Sequence, residues 1–260
     1  MNNIDFTKSE QYTLSIRLSA DGFSFSIHHS INKNDFFFTS YPVNDSYSFT
    51  ANIKEMIAST EALGHSYQQI NILIDTHRVT PVPFELFEDE QAETLFHQVF
   101  TEGSNEIILC NILGKSDVAL LFGMDKHAHQ LLNEHFPHAR FFACVSPMIE
   151  YFTIKSRENN HRHLYTHFQD HVFEVFAFDG GKLQLINSFQ CKQTADKVYY
   201  LLHIWQQLGF SQEKDQLWII GDMDDKEELL KELNRFLRQV NILPMQEQLP
   251  FDIKTLMICE

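Results

Sequence analysis

Hydrophobic and polar residues alternate strictly near the start of the chain. In LSIRLS (14–19), Leu14, Ile16 and Leu18 fall on one side; in FSFSIHH (23–29), Phe23, Phe25 and Ile27 do the same. A period of two marks a half-buried strand. The polar stretches ADG (20–22) and NKND (32–35) read as turns and FFFTSYPV (36–43) as a third strand, completing an antiparallel meander. In that strand Phe37 is expected on the face opposite Phe36 and Phe38. The period then changes. Ile53, Met56, Ile57 and Leu63 recur at helical spacing in 50–63, with Thr50 as the expected N-cap. The almost wholly apolar QINILID (69–75) suits a strand covered on both faces.

The same plan returns later. HLYTHFQD (163–170), HVFEVFAF (171–178) and LQLINSFQ (183–190) read as three strands, with DGGK (179–182) as a hairpin turn. A helix over 194–208 puts Val198, Leu201, Leu202, Trp205 and Leu208 on one face, and DQLWIIGD (215–222) is the buried strand. Leu14 matches Leu164 at an offset of 150 and Asp75 matches Asp222 at 147. A near-constant offset over four strands and a helix predicts an internal structural repeat. Between the halves, TPVPFELFEDEQAETLFHQVF (80–100) reads as a loop leading into an acidic helix. A hairpin (106–122), a helix capped by Asp125, a strand (139–145) and a helix opening on Ser146 and Pro147 follow, then a polar linker (155–162). The stretch 222–239 is expected to be one helix, with Asp224 and Glu227 as a capping box.

Composition narrows the chemistry. The chain has 260 residues, 43% hydrophobic and 21% charged, enough for one large or two modest domains. A net charge of -15 without a Lys/Arg cluster argues against nucleic-acid binding. No apolar run approaches a membrane span and no basic segment leads an apolar one at the start, so a cytoplasmic protein is expected. The four cysteines form no Cys-x-x-Cys pair and read as buried thiols. Nine glycines stand against 24 phenylalanines, and neither G-x-x-x-x-G-K-[ST] nor G-x-G-x-x-G is present. HRHLYTHFQDH carries His161, His163, His167 and His171, read as a polar strand face without a metal. Glu85, Glu88, Asp89 and Glu90 read as a solvated loop and helix start. Phe84 and Phe87, beside Pro81 and Pro83, either fold back on the first half or form a patch for an unidentified protein partner.

Two ββ-β-α-β halves joined by a helix resemble the actin-like ATPase superfamily, in particular its bacterial pilus-assembly and cell-division members of the PilM and FtsA type. The overall pattern is also similar to an uncharacterised bacterial family, domain of unknown function 3822. The resemblance implies an α/β fold of two tandem ribonuclease H-like halves with mixed sheets flanked by helices. The halves are expected at 1–157, with an inserted loop and helix at 80–100, and at 158–260. It also implies phosphate turns at 19–22 and 168–171. A bound nucleotide would meet Ser19, Asp21, Gly22, Gln169 and Asp170 there, and Gly221 and Asp222 on the adenosine side. Those turns depart from the family pattern. Arg17 stands where a metal-holding Asp is usual and Ser19 where a Gly is; Thr166 and Phe168 replace the same pair in the second half. The expectation is a non-catalytic, actin-like scaffold or protein-binding module, with ATP and magnesium disfavoured. A weak nucleotide-binding ATPase, and then a metal-dependent hydrolase using the histidine-rich strand, stand as alternatives.

Overall fold

The alternating segments form two sheets of identical strand order. In this computed structural model, residues 4–29, 36–169, 172–244 and 249–259 are described; the NKND turn (32–35), Asp170 and His171 lie outside them. The first sheet runs β3-β2-β1-β4-β8, from β1 (Tyr12–Leu18), β2 (Phe23–His29), β3 (Phe36–Tyr41), β4 (Gln69–Ile74) and β8 (Arg140–Ala143). The second runs β11-β10-β9-β12-β13, from β9 (His163–Gln169), β10 (Val172–Asp179), β11 (Lys182–Gln190), β12 (Gln216–Ile220) and β13 (Val240–Ile242). In each, a three-stranded meander is extended by two parallel strands. The register repeats too. Leu14 stands opposite Ile27 and Ile70, and Leu164 opposite Ala177 and Leu217. These are the equivalences that the offsets of 150 and 147 predict.

The apolar side of β1 and β2 is fully buried, from Leu14, Ile16 and Leu18 to Phe23, Phe25 and Ile27. Phe37 lies opposite Ile27 with its ring 6.0 Å from Phe25, whereas Phe36 and Phe38 pack on the other side against Leu249, Ile253 and Met257. The turn at 179–182 joins β10 to β11, with Gly180 and Gly181 at φ of 57° and 83°. Two consecutive positive values are what a two-residue type I′ hairpin requires, and glycine supplies them.

Several helix ends differ from expectation. α1 (Phe49–Ser59) is capped by Ser48, whose hydroxyl accepts from the Ala51 N–H at 3.2 Å; Thr50 lies inside the helix and reaches Asp125 instead. Asp125 does cap α3 (Lys126–His135), accepting from Ala128 N–H at 2.7 Å. α4 (Val145–Ser156) begins before Ser146, whose hydroxyl donates to Asn111. α5 spans Thr194–Gln207. The expected helix at 222–239 is shorter, α6 (Lys226–Leu233), without a capping box because Asp225 is engaged elsewhere. The chain then adds β13 and a last helix, α7 (Phe251–Cys259). No helix among the described residues is long and apolar enough to cross a membrane.

The chain divides into two compact units, residues 4–112, 118–148 and 249–259 in one and 113–117 and 149–244 in the other. The division at 157/158 follows the repeat; the units follow packing, and α7 goes with the first.

Segment 79–125 forms a module with its own sheet, β5-β7-β6, from β5 (Val79–Pro83), β6 (Glu106–Leu113) and β7 (Val118–Asp125), with α2 (Ala92–Val99) beside it. The expected loop at 80–83 is therefore an edge strand, a correction with a clear cause. Prolines argue against a central strand but are tolerated on an edge. Arg78 shares a backbone hydrogen bond with Gly123, and pairing proceeds through Val79–Phe122 to Pro83–Val118. Alternation then turns Thr80 and Val82 toward β7 and leaves Pro81 and Pro83 at the open edge, where the missing N–H costs no ladder bond. The module is fixed to the first sheet by Asn111. Its amide donates to Phe141 O and accepts from Ala143 N–H, serving the outer edge of β8 as a neighbouring strand would.

Just before β5, Arg78 makes a bidentate pair with Glu106 at 2.7 and 2.8 Å, donates to Thr101 O, and lies over the rings of Phe96 and Phe100. The Glu106 carboxylate crosses directly above Gly123, where a Cβ would collide with it. Gly123→Ala is therefore expected to destabilise the protein by about 1–3 kcal/mol, the usual cost of overpacking, read as a lowered midpoint in urea titration. An unchanged midpoint would show that Glu106 moves aside freely.

Candidate functional site

The first of the two expected phosphate turns follows β1. Ser19 is buried, its N–H donates to Gly22 O at 3.2 Å, and Asp21 N–H points to the Ser19 hydroxyl at 3.4 Å. Two N–H groups of the turn are thus used within it. Gly22 has ordinary negative-φ backbone, and a Cβ there would make only normal contact, so its place does not depend on being glycine. Asp21 is exposed.

Two residues before Ser19, Arg17 points to the face of β1 opposite the apolar core. Its guanidinium Nε donates to Asp252 of α7 at 2.6 Å and its Nη2 to Asp75, just after β4, at 2.8 Å. The Asp252 side chain is 1% exposed and those of Arg17 and Asp75 14% and 16%, so the ions meet largely out of water. Burial alone would lower the guanidinium's proton affinity, but the neighbouring negative charges, Asp252 foremost, raise it further, and Arg17 stays protonated. The second Asp252 oxygen accepts from the Ile253 N–H at 2.7 Å. The Cys144 thiol, buried beside this group, is pushed well above its usual range by burial and then by Asp252, which makes it inert as a nucleophile. The resemblance puts Arg17 where a metal-holding Asp is usual; the structure gives its partners, Asp252 and Asp75. The signal for them was a lone cation inside an otherwise apolar and serine strand, which demands a buried carboxylate somewhere in the chain.

The second half offers different chemistry at equivalent places. The register makes His167, not Thr166, the counterpart of Arg17, and Phe168 that of Leu18, a one-residue correction to the correspondence that the resemblance implies, because Leu14 and Leu164 hold the same place opposite Ile27 and Ala177. His167 is buried and its Nδ1 lies 3.0 Å from Glu174 and 3.2 Å from the Gln169 amide. His163 is buried and stacked on Tyr165, and burial pushes its imidazole down in pKa. His161 is partly exposed. No cluster of three or more metal-ligating side chains occurs among the described residues. Phe168 turns its ring onto Phe173 in the core, 5.1 Å away. Its carbonyl oxygen meets Gly221 so closely that a Cβ would overlap it; Gly221 has φ of 109°, and glycine is required there on both counts.

Beside Gly221 lies a cavity of about 640 Å³, walled by Phe168, the start of α5 and the segment from Asp222 to Asp225. Its polar centre is Lys197, buried, 2.6 Å from Asp225 and 5.6 Å from the Phe168 ring centroid. Thr194 also donates to Asp225, at 2.7 Å. Burial would raise the Asp225 carboxyl, but the bonds from Lys197 and Thr194 outweigh it and hold it below the ordinary range. Lys197 went unnoticed in the sequence, although it sits on the same helical stripe as Leu201 and Trp205. Of the candidate nucleotide residues, Asp222 thus lines a cavity and Gly221 precedes it in the chain, packed against Phe168; Ser19, Asp21 and Gly22 form a closed turn, and Gln169 contacts His167.

Residues 1–240 match the family described as protein of unknown function (DUF3822). The chain belongs to this family. It is 46% identical to a Bacteroides thetaiotaomicron protein with actin-like ATPase fold and unknown function, covering 99% of this chain and 100% of that one at a TM-score of 0.90. The structure of a PilM-PilN type IV pilus biogenesis complex is similar in fold, with a TM-score of 0.52 at 10% identity over 89% of this chain and 88% of that one. No curated protein sequence matches. This DUF3822 member therefore has the actin-like ATPase fold, with its halves in the ribonuclease H-like arrangement.

Two expectations test the ion pairs. Arg17→Met leaves Asp75 and Asp252 facing each other without their cation and is expected to cost about 3–5 kcal/mol; adding Asp252→Leu should recover part of the loss in chemical denaturation. If the double variant is no better than the single, the guanidinium is not held by Asp252. In the second unit, a carboxyl with a depressed folded value stabilises fully above the ordinary value of 3.8 and loses that stabilisation as pH falls through the folded value. The stability gap between the wild type and Asp225→Asn should accordingly stay constant from neutral pH to about pH 4 and close below it. A gap that closes between pH 7 and 5 would contradict the assignment.

Proposed function

We propose that this DUF3822 protein is a non-catalytic, actin-like scaffold that works by binding another protein. The observation that carries this reading is the Arg17 ion group. Magnesium-nucleotide binding of the actin-like kind needs a carboxylate at this position and N–H donors on the following turn. Here a guanidinium takes the carboxylate's place, both nearby aspartates are paired with it, and the turn's Ser19 and Asp21 N–H groups are engaged internally. The net charge of -15 adds an unfavourable field for a polyphosphate. The fold supplies a stable frame, and a frame does not preserve its chemistry once the site residues change. The PilM-PilN structure shows a protein of related fold engaged with a protein partner, which is in keeping with this role by analogy of fold alone.

A weak nucleotide-binding activity is the second reading, favoured by the cavity beside Gly221 and Asp222. Its open carboxylates, Asp222, Asp224 and Glu228, oppose phosphates but leave room for a base. Calorimetry with ATP and magnesium separates the two. We expect no binding at micromolar concentrations. Micromolar, magnesium-dependent affinity that disappears in Ala195→Trp, a variant filling the cavity from its exposed wall, would sink the scaffold reading and establish the second.

A further inference from the structure

The module 79–125 displays large apolar side chains at its surface. Phe84 is 52% exposed and Leu86 67% exposed, both on a single turn of 3-10 helix directly after β5, whereas Phe87 is half-buried. The chain on either side of them is acidic. Residues 79–114 contain seven carboxylates and no Lys or Arg. Glu85, Glu88, Asp89, Glu90 and Glu93 are all exposed, and the nearest preceding cation, Arg78, is taken by Glu106. Carboxylates packed this densely repel one another, a cost that an opposite surface would relieve.

The edge of β5 narrows how a partner can attach. With Pro81 and Pro83 turned outward, that edge lacks the row of N–H donors that strand addition uses. Contact must come from side chains. The turn carrying Phe84 and Leu86 leaves a strand held by the β7 ladder and by the Arg78–Glu106 lock, so the two side chains are presented on a firm base. Rigid apolar anchors in a charged rim are the anatomy of an interface centre.

We infer that Phe84 and Leu86 are the anchors of a docking surface for a different protein, one presenting an apolar pocket bordered by Lys and Arg side chains. This rests on the protein-binding reading above and names its partner class and anchors. Phe87, the other aromatic candidate in the sequence, serves the base rather than the contact. A second copy of this chain does not fit, since a net charge of -15 brings acidic surface to acidic surface. Anionic lipid and nucleic acid are repelled for the same reason.

The test places the photo-crosslinking residue p-benzoylphenylalanine at position 86 of the full chain in its native host, followed by sequencing of the crosslinked segment. The segment is expected to belong to another protein and to carry several Lys or Arg residues. With that protein purified, Phe84→Ala/Leu86→Ala is expected to weaken binding by about tenfold or more. Glu85→Gln/Glu88→Gln/Glu90→Gln is expected to weaken it and to flatten its salt dependence. Because these positions are exposed, thermal stability should stay at the wild-type value in both variants. Crosslinks to a second copy, to a neutral or acidic segment, or to nothing overturn the inference, as does unchanged affinity in the apolar variant. If ATP with magnesium binds while the crosslink reaches a basic segment, the scaffold reading fails and the docking surface stands; if neither is seen, the surface fails alone.

Discussion

Burying a guanidinium with two carboxylates ties the two ends of the chain together. Arg17 and Asp252 are 235 residues apart, yet they meet at 2.6 Å under a helix that shields nearly all of the Asp252 side chain. Such a group is a poor source of net stability, because desolvating each ion costs several kcal/mol. What it supplies is position. The apolar residues that pack on β3, Ile253 and Met257 of α7 and Leu249 just before it, with Phe36 and Phe38, would tolerate a sliding or rotated helix. An aspartate that must reach one guanidinium does not. The face that α7 shares with β1 and β2 is polar throughout, with Thr13, Ser15, Ser24, Ser26 and His28 all buried. On that face the Arg17–Asp252 pair supplies the directional contact, whereas the buried Ser15 and Ser26 hydroxyls have no hydrogen-bond partner.

The two halves show how far one register can carry different chemistry. β1 and β9 pair with their neighbours in equivalent order, so Arg17 corresponds to His167 and Ser24 to Glu174. In the first half the cation finds carboxylates on β4's end and on α7; in the second the imidazole finds one on the next strand. Leu18 and Ile74 likewise correspond to Phe168 and Gly221. Where the first half pairs two aliphatic residues, the second brings a backbone carbonyl against a glycine and opens a cavity next to it. A repeat of topology thus carries different chemistry at equivalent positions, internal ion pairing in one half and an acidic cavity in the other.

Much of this architecture is legible in the sequence because strand alternation is a local signal. β1, β2, β4, β9, β10 and β12 announce themselves through period-two or continuous apolar runs, and the Asp-Gly-Gly turn through its residues alone. The helix starts were less legible. Ser48, not Thr50, caps α1, and Ser146 serves Asn111 instead of capping α4, because neighbouring hydroxyls compete and tertiary partners decide. β13 is only three residues long, too short for a period to show. α7 is buried around nearly its whole circumference, through Phe251, Asp252, Ile253, Thr255, Leu256 and Met257, so it lacks the stripe that marks an amphipathic helix. Of the site, the substitution at Arg17 was visible, but its partners lie 58 and 235 residues away and no local pattern links them.

β5 illustrates the opposite case, in which a residue that argues against a strand explains how the strand is used. A proline at an inward position would remove a ladder bond to β7; at 81 and 83 it removes a donor only from the open edge. The result is a strand that closes one side of a three-stranded sheet without inviting another strand to join it. Since β7 is buried almost end to end, from Val118 to Met124, the module needs β5 for cover, and it needs β5's outer edge to be unreactive. Prolines satisfy both demands at once. They also end the strand sharply at Pro83, which throws the chain into the turn bearing Phe84 and Leu86. The same two residues that block backbone-mediated association therefore place two exposed apolar side chains at the module's surface, so that any association there would run through side-chain shape and charge.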